Sequence, residues 1–204
     1  MDQKSPLLSW FGRAITVLNA EAERGHGGRV QRRSWVAAGA APYAKSKTFS
    51  PTRVGAVDYL EALPRDEGGH GASKLLADLI PLAGQLPWTP SARVDDAGAE
   101  VALVDLFECI DIKLAGAGIM VLGPGQGYPE HAHPPAELYL VLHGSRRWRF
   151  GDSERYLKVD QGQVLSNSPM DVHGIEAGDD PLVALWVLID EPTDVPAYLP
   201  GFSP

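Results

Sequence analysis

From Val101 onward the chain breaks into short runs that are apolar throughout or alternate between apolar and polar: VALVDLF, AGIMVL, ELYLVL, RRWRF, RYLKV, QVLS and LVALWVLI. Runs of this length, closed by turn residues at fairly regular spacing, suit strands of an antiparallel sandwich or barrel better than helices. The first hundred residues follow a different period. Ser5-Pro6 reads as an N-cap followed by proline at the first helical position, after which Leu7, Leu8, Phe11, Ile15 and Leu18 share one helical face until Gly25 and the GHGG stretch. Residues 56–66 predict a short second helix. Residues 73–88 predict a third, with Leu75, Leu76, Leu79, Ile80 and Leu86 toward a core. The turn-rich segment 87–100 is the best boundary, giving a helical N-terminal cap (1–100) and a β-barrel with a proline-rich C-terminal tail (101–204). An amphipathic helix must bury its apolar face, so the cap is expected to cover the barrel mouth.

Composition narrows the function classes. Cys109 is the single cysteine of 204 residues, so neither an internal disulfide nor a cysteine-based zinc site is possible. A net charge of −8 argues against a nucleic-acid partner. The two basic clusters, QRRSW (31–35) and SRRWRF (145–150), are short. In the second, Arg147 and Arg149 fall on one strand face and Trp148 and Phe150 on the other, as expected of a strand with one solvated and one buried face. The N-terminus lacks the features of a signal peptide, and no apolar run approaches the roughly 18 residues of a membrane span. A cytoplasmic enzyme or binding protein is expected, without a membrane partner.

The residues that carry chemistry lie in GPGQGYPEHAHPPAELYLVLHG, residues 123–144. Alternate residues of an extended segment share a face, so His131, His133, Glu137 and Tyr139 point one way. By the same parity Glu137, Tyr139 and Val141 line the barrel interior, while Leu138, Leu140 and Leu142 are expected to face the other sheet. Two imidazoles and a carboxylate are costly to bury together unless they pair or bind a metal. Their nitrogen and oxygen donors suit a divalent first-row ion with positions left open for substrate. A solvated surface turn explains one such histidine more readily than it explains H-x-H-x3-E within a β pattern.

Gly125, His131, His133, Glu137 and Gly144 match every defined position of the first cupin motif, G-x5-H-x-H-x3-E-x6-G. The second motif is present more loosely in GQVLSNSPMDVHGIEA. Gly162 and Pro169 are recognisable there and His173 stands as the last expected ligand, but Asp171 replaces a glycine and the terminal asparagine is absent. The resemblance implies a jelly-roll barrel that holds one divalent transition metal, Zn, Fe, Mn, Co or Ni, through His133, Glu137 and His173, joined by His131. The stretch Y-x2-H-x-H-x3-E-x-Y, Tyr128 to Tyr139, resembles more particularly the cupin-type dimethylsulfoniopropionate lyases of the Q-type group, which also carry a helical region before the barrel.

That resemblance implies cleavage of a small zwitterionic carboxylate, dimethylsulfoniopropionate, to dimethyl sulfide and acrylate. The elimination needs a Lewis acid at the carboxylate and a base beside the adjacent carbon. Tyr139, two residues after Glu137 on the same face, is assigned as that base; its other role is as a packing aromatic. Tyr128 orients substrate or assists proton transfer, or is an ordinary turn residue. Trp186, Tyr128 and Trp148 are candidates to meet the sulfonium cation. His143 has inward parity but adjoins the turn glycine, while His26 and His70 are expected in solvated loops. The alternatives are a cupin dioxygenase or isomerase acting on another small acid, and a non-catalytic cupin sensor. The partner set is a small molecule and, at most, a second copy in a homodimer.

Overall fold

The computed structural model describes residues 5–24, 45–66, 68–94, 100–112, 114–149 and 155–189. The expected helix stop at Gly25, His26, the basic cluster 31–35, Phe150 and the proline-rich tail lie outside the described residues. Three helices are present, α1 (Pro6–Arg24), α2 (Val57–Ala62) and α3 (Gly71–Ala83). The strands before the two histidines are β1 (Lys45–Ser46), β2 (Thr89–Pro90), β3 (Val101–Asp105), β4 (Ile110–Asp111) and β5 (Gly116–Leu122). Those that follow are β6 (Tyr128–His131), β7 (Ala136–His143), β8 (Arg146–Arg149), β9 (Tyr156–Val159), β10 (Val164–Asn167), β11 (His173–Ile175) and β12 (Leu182–Ile189).

The helix ends follow local chemistry. The Ser5 hydroxyl accepts from the Leu8 amide at 3.2 Å, the N-cap expected of a serine before Pro6. α2 stops at Ala62 because Leu63 precedes Pro64 and is extended, ψ 145°. α3 ends at Ala83, earlier than the apolar spacing predicts. Pro81 removes one amide from its last turn, and the Trp88 indole folds back to donate to the Ala83 carbonyl at 2.7 Å. Trp10 ties α1 to α3 in the same manner, donating to the Leu75 carbonyl at 2.8 Å.

Two antiparallel sheets face one another in the expected jelly roll, one ordered β10-β7-β12-β5-β3-β2 and the other β6-β11-β8-β9. Side chains from both meet in an interior core: Met120, Leu122, Tyr139, Val141 and Leu165 from the larger sheet, Tyr128, Trp148, Val159 and Ile175 from the smaller. The outer face of the larger sheet is also covered. Ile119, Val121, Leu140, Leu142, Leu185 and Val187 pack there with Trp10, Phe11, Leu60, Leu75 and Leu79 of the helices. Every residue of β5 is therefore buried, which is why the AGIMVL and LVALWVLI runs are apolar on both faces.

This layering corrects two expectations. The helices lie against the back of the six-stranded sheet and not over the barrel mouth. Leu140 and Leu142, with Leu138 packed beside them, accordingly face the helices, while Tyr139 and Val141 face the second sheet. Period-2 alternation separates the two faces of a strand but carries no label for the layer that covers each one. Among the described residues, no helix is long and apolar enough to cross a membrane.

Leu79, fully buried between α3 and the sheet, tests this contact. Leu79→Ala should lower unfolding free energy by about 2–5 kcal/mol. Denaturant titration checks it, and an unaltered midpoint would mean that the helix layer is not packed as described.

Candidate metal centre

Both sheets contribute to one end of the barrel. His131 ends β6 and His173 begins β11, and the two are directly paired across the smaller sheet. Glu137 and Tyr139 lie on the inward face of β7 in the larger sheet, and His133 sits in the loop that joins the sheets. One donor atom from each of His131, His133, Glu137 and His173 falls within 4.8 Å of all the others. The prolines of HAHPPAEL do not spoil the register of β7, because they fall in that loop and not in the strand.

The imidazoles are oriented by main-chain carbonyls. Nδ1 of His131 lies 2.9 Å from the Pro129 oxygen, Nδ1 of His133 2.9 Å from the Pro135 oxygen, and Nδ1 of His173 2.8 Å from the Asp171 oxygen. A carbonyl only accepts, so each Nδ1 carries the proton. Each neutral ring then presents its Nε2 lone pair, the tautomer that ligates a metal. The second motif is built for this purpose despite its missing glycine. Met170, one residue before the expected position, takes the left-handed conformation (φ 64°), and its amide donates to the His133 carbonyl at 2.9 Å. The Asp171 carboxylate accepts from the Ser168 amide at 2.9 Å, and its carbonyl is left for His173.

Glu137 is 4% exposed, with Oε2 2.9 Å from His173 Nε2 and 3.3 Å from His133 Nε2. Burial opposes its charge, but the adjoining His133 and His173 imidazoles, which attract the carboxylate when protonated, outweigh burial and hold its pKa below the ordinary carboxylate value. The same contact with Glu137 raises His133, whereas desolvation, reinforced by His173, pushes His131 down to about 4. A buried carboxylate surrounded by three convergent imidazoles suits a divalent cation, which satisfies all four donors at once.

A cavity of about 140 Å³ opens onto His131, His133 and Glu137. Tyr128, Tyr139 and Trp186 line it together with Arg93 and the apolar Leu103, Met120 and Leu188. Burial, and then the neighbouring Glu137, holds the Tyr139 phenol well above its ordinary value. Tyr128 meets His131 edge-on, ring centroids 5.2 Å apart, and its hydroxyl lies 3.4 Å from the Ser91 hydroxyl. The Trp186 indole lies across Gly118 of β5, where a Cβ would come within 2.1 Å of the ring and 2.2 Å of the Val104 carbonyl. Trp148 does not reach the cavity; it is 1% exposed and packs on Tyr139 at 5.0 Å. His143 is half-buried and lies outside the donor cluster, and His70 is an exposed residue at the N-cap of α3. A larger cavity of about 460 Å³ lies between α1 and α3 and contains none of the four donors.

Sequence reasoning misses Arg93 and Asn167. Arg93 sits in the segment taken only as a boundary. Asn167 pairs with Glu137 across β10 and β7; it is 1% exposed, and neither polar atom of its amide makes a hydrogen bond among the described residues. Period-2 reading of QVLSN from Leu165 places Asn167 inside, but nothing in that run marks which strand it opposes.

The fold and the donor set together define a cupin able to hold a metal ion. A model of the family described as dimethylsulfoniopropionate lyase matches residues 104–184. DMSP lyase DddQ from Ruegeria pomeroyi DSS-3 superposes with a TM-score of 0.66 at 17% identity, over 90% of this chain and 94% of that one. A second structure, from a pair of DMSP lyases named RdDddP and RnDddQII, gives 0.65 at 21% identity over 88% and 94%. At such identities these likenesses are of fold. No curated protein matches the sequence. The family match bears out the resemblance to the dimethylsulfoniopropionate lyases and the expectation of a carbon–sulfur lyase.

Metal analysis tests the centre. Protein purified without chelator should carry one divalent ion per chain, and His133→Ala and Glu137→Ala should each lose most of it. Protons compete with metal for Nε2, and His133 is the imidazole whose pKa is raised. Acidification should therefore release metal, with protonation of His133 favoured over that of His131, whose metal-free pKa lies near 4. Retention of metal in both variants would refute the assignment.

Proposed function

We propose that the chain is a metal-dependent lyase that cleaves dimethylsulfoniopropionate to dimethyl sulfide and acrylate by β-elimination. The observation that carries this reading is the convergence of three carbonyl-oriented imidazoles and a buried carboxylate at a cavity that also presents two phenols and an indole. His131, His133, Glu137 and His173 are the ligand set, and Zn, Fe, Mn, Co and Ni all accept such donors. A divalent ion held there supplies a Lewis acid for the substrate carboxylate and favours ionisation of nearby acids.

The remaining work falls to the chain's own side chains. Tyr139, as phenolate, removes the proton from the carbon next to the carboxylate. The released electron pair forms the carbon–carbon double bond, the carbon–sulfur bond breaks, and the sulfonium leaves as neutral dimethyl sulfide. The balance requires no oxidant. Burial and Glu137 keep Tyr139 protonated unless positive charge offsets them, so the base is available only in the loaded site. Tyr128, pinned near Ser91 and against His131, orients the substrate. The Trp186 face receives the sulfonium by cation–π attraction; Trp148 is too deeply packed for that role. All four ligands come from one chain, so a second copy is not needed to complete the site. A buried, unpaired Cys109 thiol supports the reading of a cytoplasmic enzyme.

Metal-loaded protein given dimethylsulfoniopropionate without oxygen should release dimethyl sulfide and acrylate in equal amounts; a requirement for oxygen would move it to the dioxygenases. Tyr139→Phe keeps the ring and should lower kcat by about 10²–10⁴-fold with metal content retained. Only the phenolate accepts a proton, so parental turnover should rise with pH. Residual turnover in Tyr139→Phe should lack that limb. A Tyr139→Phe protein with parental kcat would leave Tyr139 as a wall residue.

A further inference from the structure

We infer that Arg93 anchors the substrate carboxylate and sets the orientation in which a zwitterion enters the cavity, an inference that rests on the lyase reading above. Arg93 lies in the turn after β2, where its amide donates to the Ser91 hydroxyl at 3.2 Å. Ser91 is 4% exposed, and its hydroxyl also approaches Tyr128. The base of the Arg93 side chain is thus held by a buried residue that already touches the site. Its side chain lines the same cavity as His131, His133, Glu137 and Tyr139.

Among the described residues Arg93 has no carboxylate of its own. Arg13 pairs with Asp78, Arg53 with Asp58 and Glu61, Arg147 with Glu176 and Arg149 with Glu130. Among the described residues no acidic side chain meets Arg93, even though Glu137 lines the same cavity, because Glu137 is turned to His133 and His173. A guanidinium facing a centre that holds a divalent cation is repelled by it unless an anion lies between them. A carboxylate fills that place, and the planar fork of arginine suits its two oxygens. The opposite requirement holds for the sulfonium. Arg93 and the metal both repel it, which leaves the apolar and aromatic wall of Trp186, Met120 and Leu188. The two ends of the substrate are therefore sorted by charge before any proton moves. Cations that lack a carboxylate are excluded.

Calorimetric binding of acrylate, the anionic product that lacks the sulfonium, isolates this contact from turnover. The proteins to compare are metal-loaded parent, Arg93→Met and Arg93→Lys, each with metal content and unfolding temperature measured first. Arg93 is exposed at the surface, so both variants should fold. Arg93→Met should weaken acrylate by roughly ten- to a hundredfold, the worth of a charge-assisted hydrogen bond. Arg93→Lys should recover part of the loss. With dimethylsulfoniopropionate the defect should fall on KM more than on kcat. Acrylate binding unchanged in Arg93→Met overturns the inference and leaves the lyase reading intact, as does a parent that turns over dimethylsulfoniopropionate but binds no acrylate. Arg93-dependent acrylate binding without release of dimethyl sulfide keeps the anchor and refutes the lyase.

Discussion

A carboxylate almost wholly removed from water must be given compensating charge, and the upper end of the barrel is arranged around that need. Glu137 gets its partners from two directions: His133 of the connecting loop and His173 of the opposite sheet. None of the imidazoles is free to turn away, because main-chain carbonyls hold their far nitrogens. The rigidity of the site is thus supplied by backbone, which is itself fixed by the pairing of His131 with His173. Hydrogen bonds to the far ring nitrogen determine both ring orientation and ligand basicity.

The helical layer serves the site indirectly. By covering the back of the six-stranded sheet, it lets β5, β7 and β12 be apolar outward and functional inward. A sheet with one wet face would be tethered on that side only by its edges. Trp10 and Trp88 are both buried with their indole nitrogens hydrogen-bonded; the first ties α1 to α3 and the second closes the end of α3. Tyr139 of β7 and Trp186 of β12 therefore project into the cavity from strands fixed on both sides, the kind of support a reactive group needs to keep its geometry.

Much of this was readable in the chain. The parity of His131, His133, Glu137 and Tyr139 gave the common face because side-chain direction in a strand is set by covalent geometry, and the prolines that threatened it proved to be loop residues. The strand runs were legible for the same reason. What parity does not carry is the identity of the covering layer, so Leu140 and Leu142 were turned toward the wrong neighbours and the helices toward the wrong end. Arg93 was invisible for a different reason. A lone arginine in a turn acquires meaning only when a cavity built from distant strands is brought to it, and no local pattern records that. Met170 shows the converse: a left-handed residue where a glycine was missed, held by one hydrogen bond to the His133 loop.

The alternation along β7 has a consequence for how the molecule avoids error. Leu138, Leu140 and Leu142 belong to the helix layer, and Glu137, Tyr139 and Val141 to the interior, so the strand carries two incompatible instructions interleaved at single-residue spacing. A slip of one position against β12 or β10 would push a carboxylate under the helices and three leucines into the cavity. Such a chain loses its apolar seal and its donor cluster in the same movement. Misregistered molecules are therefore not dim versions of the working protein. They are unstable and unable to take up metal together, so whatever fraction folds well enough to persist is also the fraction competent to act.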